Sequence, residues 1–286
     1  MARSEAVRVG RGREPASTRL MNRRPGPEAR LFLAALPFLL VILAYLAASA
    51  ARLADNTSDK LLPWPSGFVE AIRAMAFEPD KRSGDYLFWV DTGASLVRLC
   101  AGLAIAAGLG LVLGIAIGLI PYAGTALAPF VAVLSMVPPL AILPILFIAL
   151  GLGETAKITL ITIGIAPYLV RDLAFRVGEL PEELLIKAQT MGGSTWQIVL
   201  RVVLPQVLPR LLSGLRLSLG PAWLFVIAAE AIASTEGLGY RIFLVRRFLA
   251  MDVILPYVAW ITLLAFLMDR ALAAAGRRLF PWAAAA

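Results

Sequence analysis

Six stretches of this sequence, at about 31–51, 96–120, 125–150, 155–176, 211–235 and 253–275, run for more than twenty residues on mostly apolar side chains. A helix rises about 1.5 Å per residue, so about 20 such residues cross a hydrocarbon layer about 30 Å thick. Inside that layer the backbone polar groups must be satisfied within the segment, which leaves helices as the structure for runs of this length. The pattern predicts an all-α, polytopic membrane protein of about six transmembrane helices. Between the first two runs, residues 52–95 mix charges of both signs with prolines. There Trp64, Phe68, Ile72 and Met75 recur at helical spacing, the mark of a short amphipathic helix at the interface. Composition agrees: 59% of residues are hydrophobic and 16% charged, with a mean hydropathy of +0.80. A soluble domain is about 25% charged.

What the chain lacks narrows its chemistry. It has no histidine and a single cysteine, Cys100. That removes Ser-His and Cys-His catalysis, the usual zinc sites, haem ligation and any disulfide framework. No catalytic residue and no metal ligand is expected. The net charge of +8 reads as Lys and Arg in cytoplasmic loops rather than as nucleic-acid binding. The first 30 residues carry eight arginines and almost no apolar periodicity, as in a disordered basic cytoplasmic tail. The apolar run that follows is longer than the core of a secretory signal, so cleavage is not expected. The membrane domain then covers 31–280, with a short tail at 281–286. Placing both termini in the cytoplasm puts 17 of the 27 Lys and Arg on that side. Arg241, Arg246 and Arg247 fall on the other side, where they could attract a partner or a solute.

Three features stand out within the spans. Gly110, Gly114 and Gly118 lie on one face of the second helix, a spacing that lets helix backbones approach closely. The expected use is packing within one subunit. The stretch VPPLAILP puts Pro138, Pro139 and Pro144 into the third span, where each removes a backbone donor. Such a break either kinks a packing helix or lines a translocation path. Glu230 is the one acid deep within an apolar run. It is a candidate path residue, or else a structural hydrogen-bond partner near the outer interface, with Ser234, Thr235 and Glu236 close behind.

The most polar segment between spans is the loop of about 177–210. Pro181 suits the first turn of a helix, and Glu182 and Glu183 complement its positive end. Leu184, Leu185, Ala188 and Met191 form an apolar stripe, and Gly192-Gly193 can end that helix. Ser194 can cap a second helix, Thr195 to Leu204, which Pro205 interrupts. The product is helix, glycine turn, helix, tied at both ends to membrane spans. It suits either a protruding element that another protein grips or an ordinary loop.

This loop resembles the EAA loop of ABC importer permeases. Gly192 is followed by nine residues and then Val202-Val203-Leu204-Pro205, the family's closing pattern. Upstream, Ile186-Lys187-Ala188 keeps only the second alanine of Glu-Ala-Ala. SLVRLCAGLAIAAGLGLVLG, MVPPLAILPILFIALGLGE and AEAIASTEGLGY resemble the nitrate/sulfonate/taurine/bicarbonate branch of these binding-protein-dependent permeases. The resemblance implies a type I importer fold in a bacterial inner membrane, built as a homodimer of permeases around one path. It implies two ATPase subunits on the cytoplasmic loops and a periplasmic or lipid-anchored solute-binding protein outside. Glu183, Lys187, Ala188, Met191, Gly192, Gly193, Leu204 and Pro205 would form the coupling loop. The chain itself would need no cofactor, because ATP would bind the partner; GLGETAKIT near 151 does not match a phosphate-binding P-loop. A fainter similarity, in LIKAQT and RIFLVRRFLAMDVILPYVAW, points to importers of urea or guanidine. A secondary transporter is a rival class, but it should show internal repeats, which are absent here.

Overall fold

The computed structural model describes residues 25–284 apart from 58 and 82, so the expected basic tail up to residue 24 lies outside it. All the regular structure among the described residues is helical, and the chain divides into two compact units between Trp64 and Pro65.

In the first unit, α1 runs from Pro27 to Asp55. It starts four residues ahead of the expected Leu31, because Pro27 has no backbone N–H to leave orphaned and Glu28 complements the first turn. The chain then folds back on α1. The Tyr45 hydroxyl donates to the Pro63 carbonyl at 2.7 Å, and Ser49 Oγ to the Leu62 carbonyl at 2.8 Å.

The second unit begins with α2, Pro65–Ala76, the expected short amphipathic helix. Its inward residues are Phe68, Met75 and Ala76, while Ile72 stays exposed; Trp64, expected in this helix, falls just before it. Trp89 Nε1 donates to the Ala76 carbonyl at 3.1 Å and ties α2 to α3, Leu87–Leu119. Next come α4 (Pro121–Leu134), α5 (Leu143–Leu150), α6 (Glu154–Gly178), α7 (Glu182–Thr190), α8 (Thr195–Ile198), α9 (Leu204–Ala233), α10 (Leu238–Arg246) and α11 (Met251–Leu279). Five helical stretches are long and apolar enough to cross a membrane, and α4 with the segment through α5 makes a sixth, bent by 81°.

The bend lies at VPP, but the prolines do not kink a continuous helix. Pro138 is extended, Pro139 opens a short 3-10 turn, and Pro144 sits in the first turn of α5. At helix starts a missing donor costs nothing, so the sequence breaks the span cleanly and restarts it.

The core is built on α3 against α6, with α9 beside them. The glycine face of α3 lies directly against α6. A Cβ on Gly114 would lie 2.7 Å from Leu173 Cβ, and one on Gly118 would lie 2.5 Å from Val177 Cβ. These glycines serve packing within the chain, as the spacing suggested.

Candidate functional site

The loop end of the bundle is formed by the segment from Glu179 to Val203. α7 begins behind Pro181, with Glu182 and Glu183 in its first turn. Leu185 and Ala188 pack against the core, whereas Met191 is 80% exposed and does not join the buried stripe. The Gly193 amide donates to the Ala188 carbonyl at 3.1 Å, and Gly192 turns the chain with φ of +81°. That conformation costs an L-residue with a side chain about 1–2 kcal/mol, which explains glycine here. Ser194 and Gln197 then form a reciprocal capping box at the start of α8.

Pro205 does not interrupt the second helix of the loop. α8 passes through a π turn, Val199–Val203, directly into α9, making a continuous stretch Thr195–Ala233 of 39 residues. The Leu204 amide bonds the Val199 carbonyl, five residues back, and Pro205 falls in the first α-turn after that register change. The loop therefore continues into a membrane span through unbroken helical backbone. Leu204 and Pro205 are half-buried at this junction, while Glu183 and Lys187 are exposed. The sequence reading did not single out Ile186 or Trp196 as contact residues, yet they are 54% and 69% exposed. With Met191 they give the loop three large apolar groups facing outward. Two ion pairs brace the spans near this end: Arg210 to Asp172, linking α9 and α6 at 3.1 Å, and Arg216 to Asp269, linking α9 and α11 at 2.7 Å.

At the opposite end of the bundle lies a polar core. α3 presents Asp91, Ser95 and Arg98 at helical spacing, all buried. Glu230 of α9 is fully buried and saturated. Its carboxylate accepts from Ser95 Oγ at 2.8 Å, Arg98 Nη1 at 2.8 Å and the Gly239 amide at 2.9 Å. Gly237, at φ +124°, lets the chain wrap this carboxylate; a Cβ there would lie 2.6 Å from its oxygens. Arg98 also reaches Glu154 Oε1 on α6 at 2.8 Å, and Lys157 bonds both Glu154 and Ser234. Asp91 accepts from the Gly237 amide, Arg241 Nε and the Tyr257 hydroxyl at 2.9, 2.8 and 3.2 Å.

These contacts tie α3, α9 and α10 together through Glu230, the arrangement expected of a structural hydrogen-bond partner, and leave its carboxylate buried within the chain. Arg241 likewise leaves the expected free basic patch, because Asp91 neutralises it. Arg246 and Arg247 form no ion pair among the described residues, and Arg246 stacks over Phe243 at 4.9 Å. The signal available in sequence was the polar i, i+4, i+7 series Asp91, Ser95, Arg98 within an apolar helix.

Nearer the loop end, a cavity of about 700 Å³ opens between α3, α4 and α6. Ser135, Tyr168, Arg171, Asp172 and Phe175 are among its lining residues. Pro138, Pro139 and Pro144 are not, although the break they create places Ser135 at the rim. Among the described residues no cluster of acids or cysteine could hold a metal ion.

Residues 106–281 match the family described as binding-protein-dependent transport system inner membrane component. The chain is 42% identical over 226 residues to the taurine transport system permease protein TauC of Escherichia coli, covering 79% of this chain and 81% of that one. It is 34% identical over 186 residues to the bicarbonate transport system permease protein CmpB of Synechococcus elongatus, covering 64% and 66%. Among solved structures, one of the MetNI methionine ABC transporter in an inward-facing conformation superposes with a TM-score of 0.60 at 21% identity. That match covers 70% of this chain and 99% of the solved one, a likeness of fold.

Proposed function

This chain belongs to the family of binding-protein-dependent transport system inner membrane components and is a permease of an ABC importer, and we propose that it carries small oxyanions of the taurine, sulfonate or bicarbonate kind. Identity to TauC over four fifths of the chain supports that substrate class. In this reading two copies of the chain form one path, with both termini in the cytoplasm. Two ATPase subunits grip the loops, and a solute-binding protein delivers the solute from outside. The chain holds no cofactor; ATP binds and is hydrolysed on the partner.

The observation that carries the coupling role is the unbroken run from the capping box at Ser194 into α9. An ATPase closing on Ile186, Met191 and Trp196 moves α8, and the continuous backbone carries that motion into α9. The ion pairs of Arg210 and Arg216 pass that motion to α6 and α11. Coupling of this kind biases an assembly between two packed states by differential contacts, without chemistry on this chain.

Reconstitution tests the reading. The permease, its ATPase and its binding protein in vesicles should take up taurine only with ATP. Uptake without ATP, or uptake of urea or guanidinium in place of anions, would overturn it.

A further inference from the structure

The cavity beside the break in the third span is lined by an arginine that has no ion-pair partner among the described residues. Arg171 lies within α6, seven residues before its end at Gly178, so about 10 Å inside the helix terminus. Its side chain is exposed and lines the cavity. Among the described residues no carboxylate is within ion-pair distance of it. The adjacent Asp172, which also lines the cavity, is already bound to Arg210 through both carboxylate oxygens at 3.1 and 3.2 Å. The guanidinium therefore stands in the cavity without an ion-pair partner among the described residues, in the turns of α6 nearest the loop, and water or an anion must face it.

The guanidinium is also held in place. Arg171 Nη1 donates to Ser135 Oγ at 2.8 Å, and Ser135 Oγ donates its own proton to the Ala132 carbonyl at 2.7 Å. The serine is thus fixed as an acceptor and uses one of five guanidinium N–H groups. The others remain as a planar fork, whose geometry matches two oxygens of a sulfonate or a carboxylate. Tyr168 and Phe175 share this face of α6, at three- and four-residue steps from Arg171, and are 43% and 64% exposed. They add an apolar wall suited to the short carbon chain of a sulfonate.

We infer that Arg171, held by Ser135, is an oxyanion contact on the solute path, a site that the passing solute meets in the half of the bundle nearest the loop. The substrate assignment here rests on the anion-importer reading, but the anion site itself can be tested apart from uptake.

Cys100 is the only native thiol, so Cys100→Ser with Phe175→Cys gives one reporter inside the cavity. In nanodiscs, each rate divided by that reagent's rate with a free thiol in solution, labelling by a sulfonate-bearing methanethiosulfonate should outpace labelling by its trimethylammonium counterpart. Arg171→Met should shift that ratio about five-fold or more toward the cation, the size of effect a nearby charge produces in a site of reduced dielectric. Arg171→Lys should restore most of it. Taurine or sulfate should slow labelling of the Arg171 protein and leave the Met variant unaffected. An unchanged ratio in Arg171→Met, or no protection by either anion, overturns the inference. Protection by phosphatidylglycerol nanodiscs but not by taurine assigns the fork to a lipid phosphate and also overturns it. If labelling behaves as expected while the full importer carries no anion, the substrate reading fails and the site stands.

Discussion

The Arg98 guanidinium donates to the Glu230 carboxylate at 2.8 Å across 132 residues of sequence, and both side chains are almost wholly removed from solvent. Ser95 and the Gly239 amide complete the carboxylate's shell, so the pair is hydrogen-bonded on every side that faces protein. Removing one member of such a pair leaves a buried charge uncompensated. Glu230→Ala should destabilise the membrane domain by about 3–5 kcal/mol. Glu230→Gln, which keeps shape and one acceptor, should cost clearly less. Thermal unfolding of the purified permease in detergent reads both, and an unaltered midpoint for Glu230→Ala would refute the structural role.

Close packing of α3 on α6 sets a second expectation. Gly118→Ala brings a methyl carbon to 2.5 Å from Val177 Cβ and 2.6 Å from the Ala174 carbonyl oxygen, so the helices must separate. Overpacking of this kind costs about 1–3 kcal/mol. The companion Val177→Gly, which removes the clashing Cβ, should recover part of the loss in the double variant, measured as a coupling energy in a thermal or denaturant cycle.

Coupling predicts variants that fold but do not work. Met191→Asp and Trp196→Asp alter exposed side chains, so unfolding of the isolated permease should change by less than about 0.5 kcal/mol. Association with the ATPase subunit should weaken at least about tenfold, because large apolar groups dominate such contacts. Titration of labelled ATPase against permease in nanodiscs would show this, and wild-type affinity in both variants would remove these residues from the contact.

Gly192→Val places a β-branched residue at φ +81°. The local cost is about 1–2 kcal/mol, small against the whole domain, yet it reshapes the turn that joins α7 to α8. The expected outcome is a permease with normal helix content by circular dichroism whose ATP-driven uptake is lost.

The turn after α1 should respond to acid. The Arg52 guanidinium beside Asp59 holds its carboxyl below the usual carboxylate range. A depressed folded-state value means that the tie is fully present above the ordinary pKa and is lost as pH falls through the lowered one. Hydrogen exchange of Leu61, whose amide donates to Asp59 at 3.2 Å, should accelerate over that acidic window and be pH-independent in Asp59→Asn after correction for intrinsic rates.

Much of this molecule is determined by local sequence. Apolar run length decides how many stretches can cross a membrane, because only a helix satisfies its backbone across such a run. Proline in VPPLAILP decides where the third span restarts, and Gly192 decides where the loop turns. The fate of charge is different. Arg98, Lys157, Glu230 and Arg241 each look costly in an apolar context, and Arg241 reads as surface until α10 folds onto α3. Their partners lie 132 to 150 residues away in the strongest cases, so helix packing alone brings them together. The same holds for Arg171, whose neighbour Asp172 would pass for its partner on paper. Tertiary structure turns Asp172 to Arg210 and leaves Arg171 facing the cavity, because adjacent residues on a helix point about 100° apart.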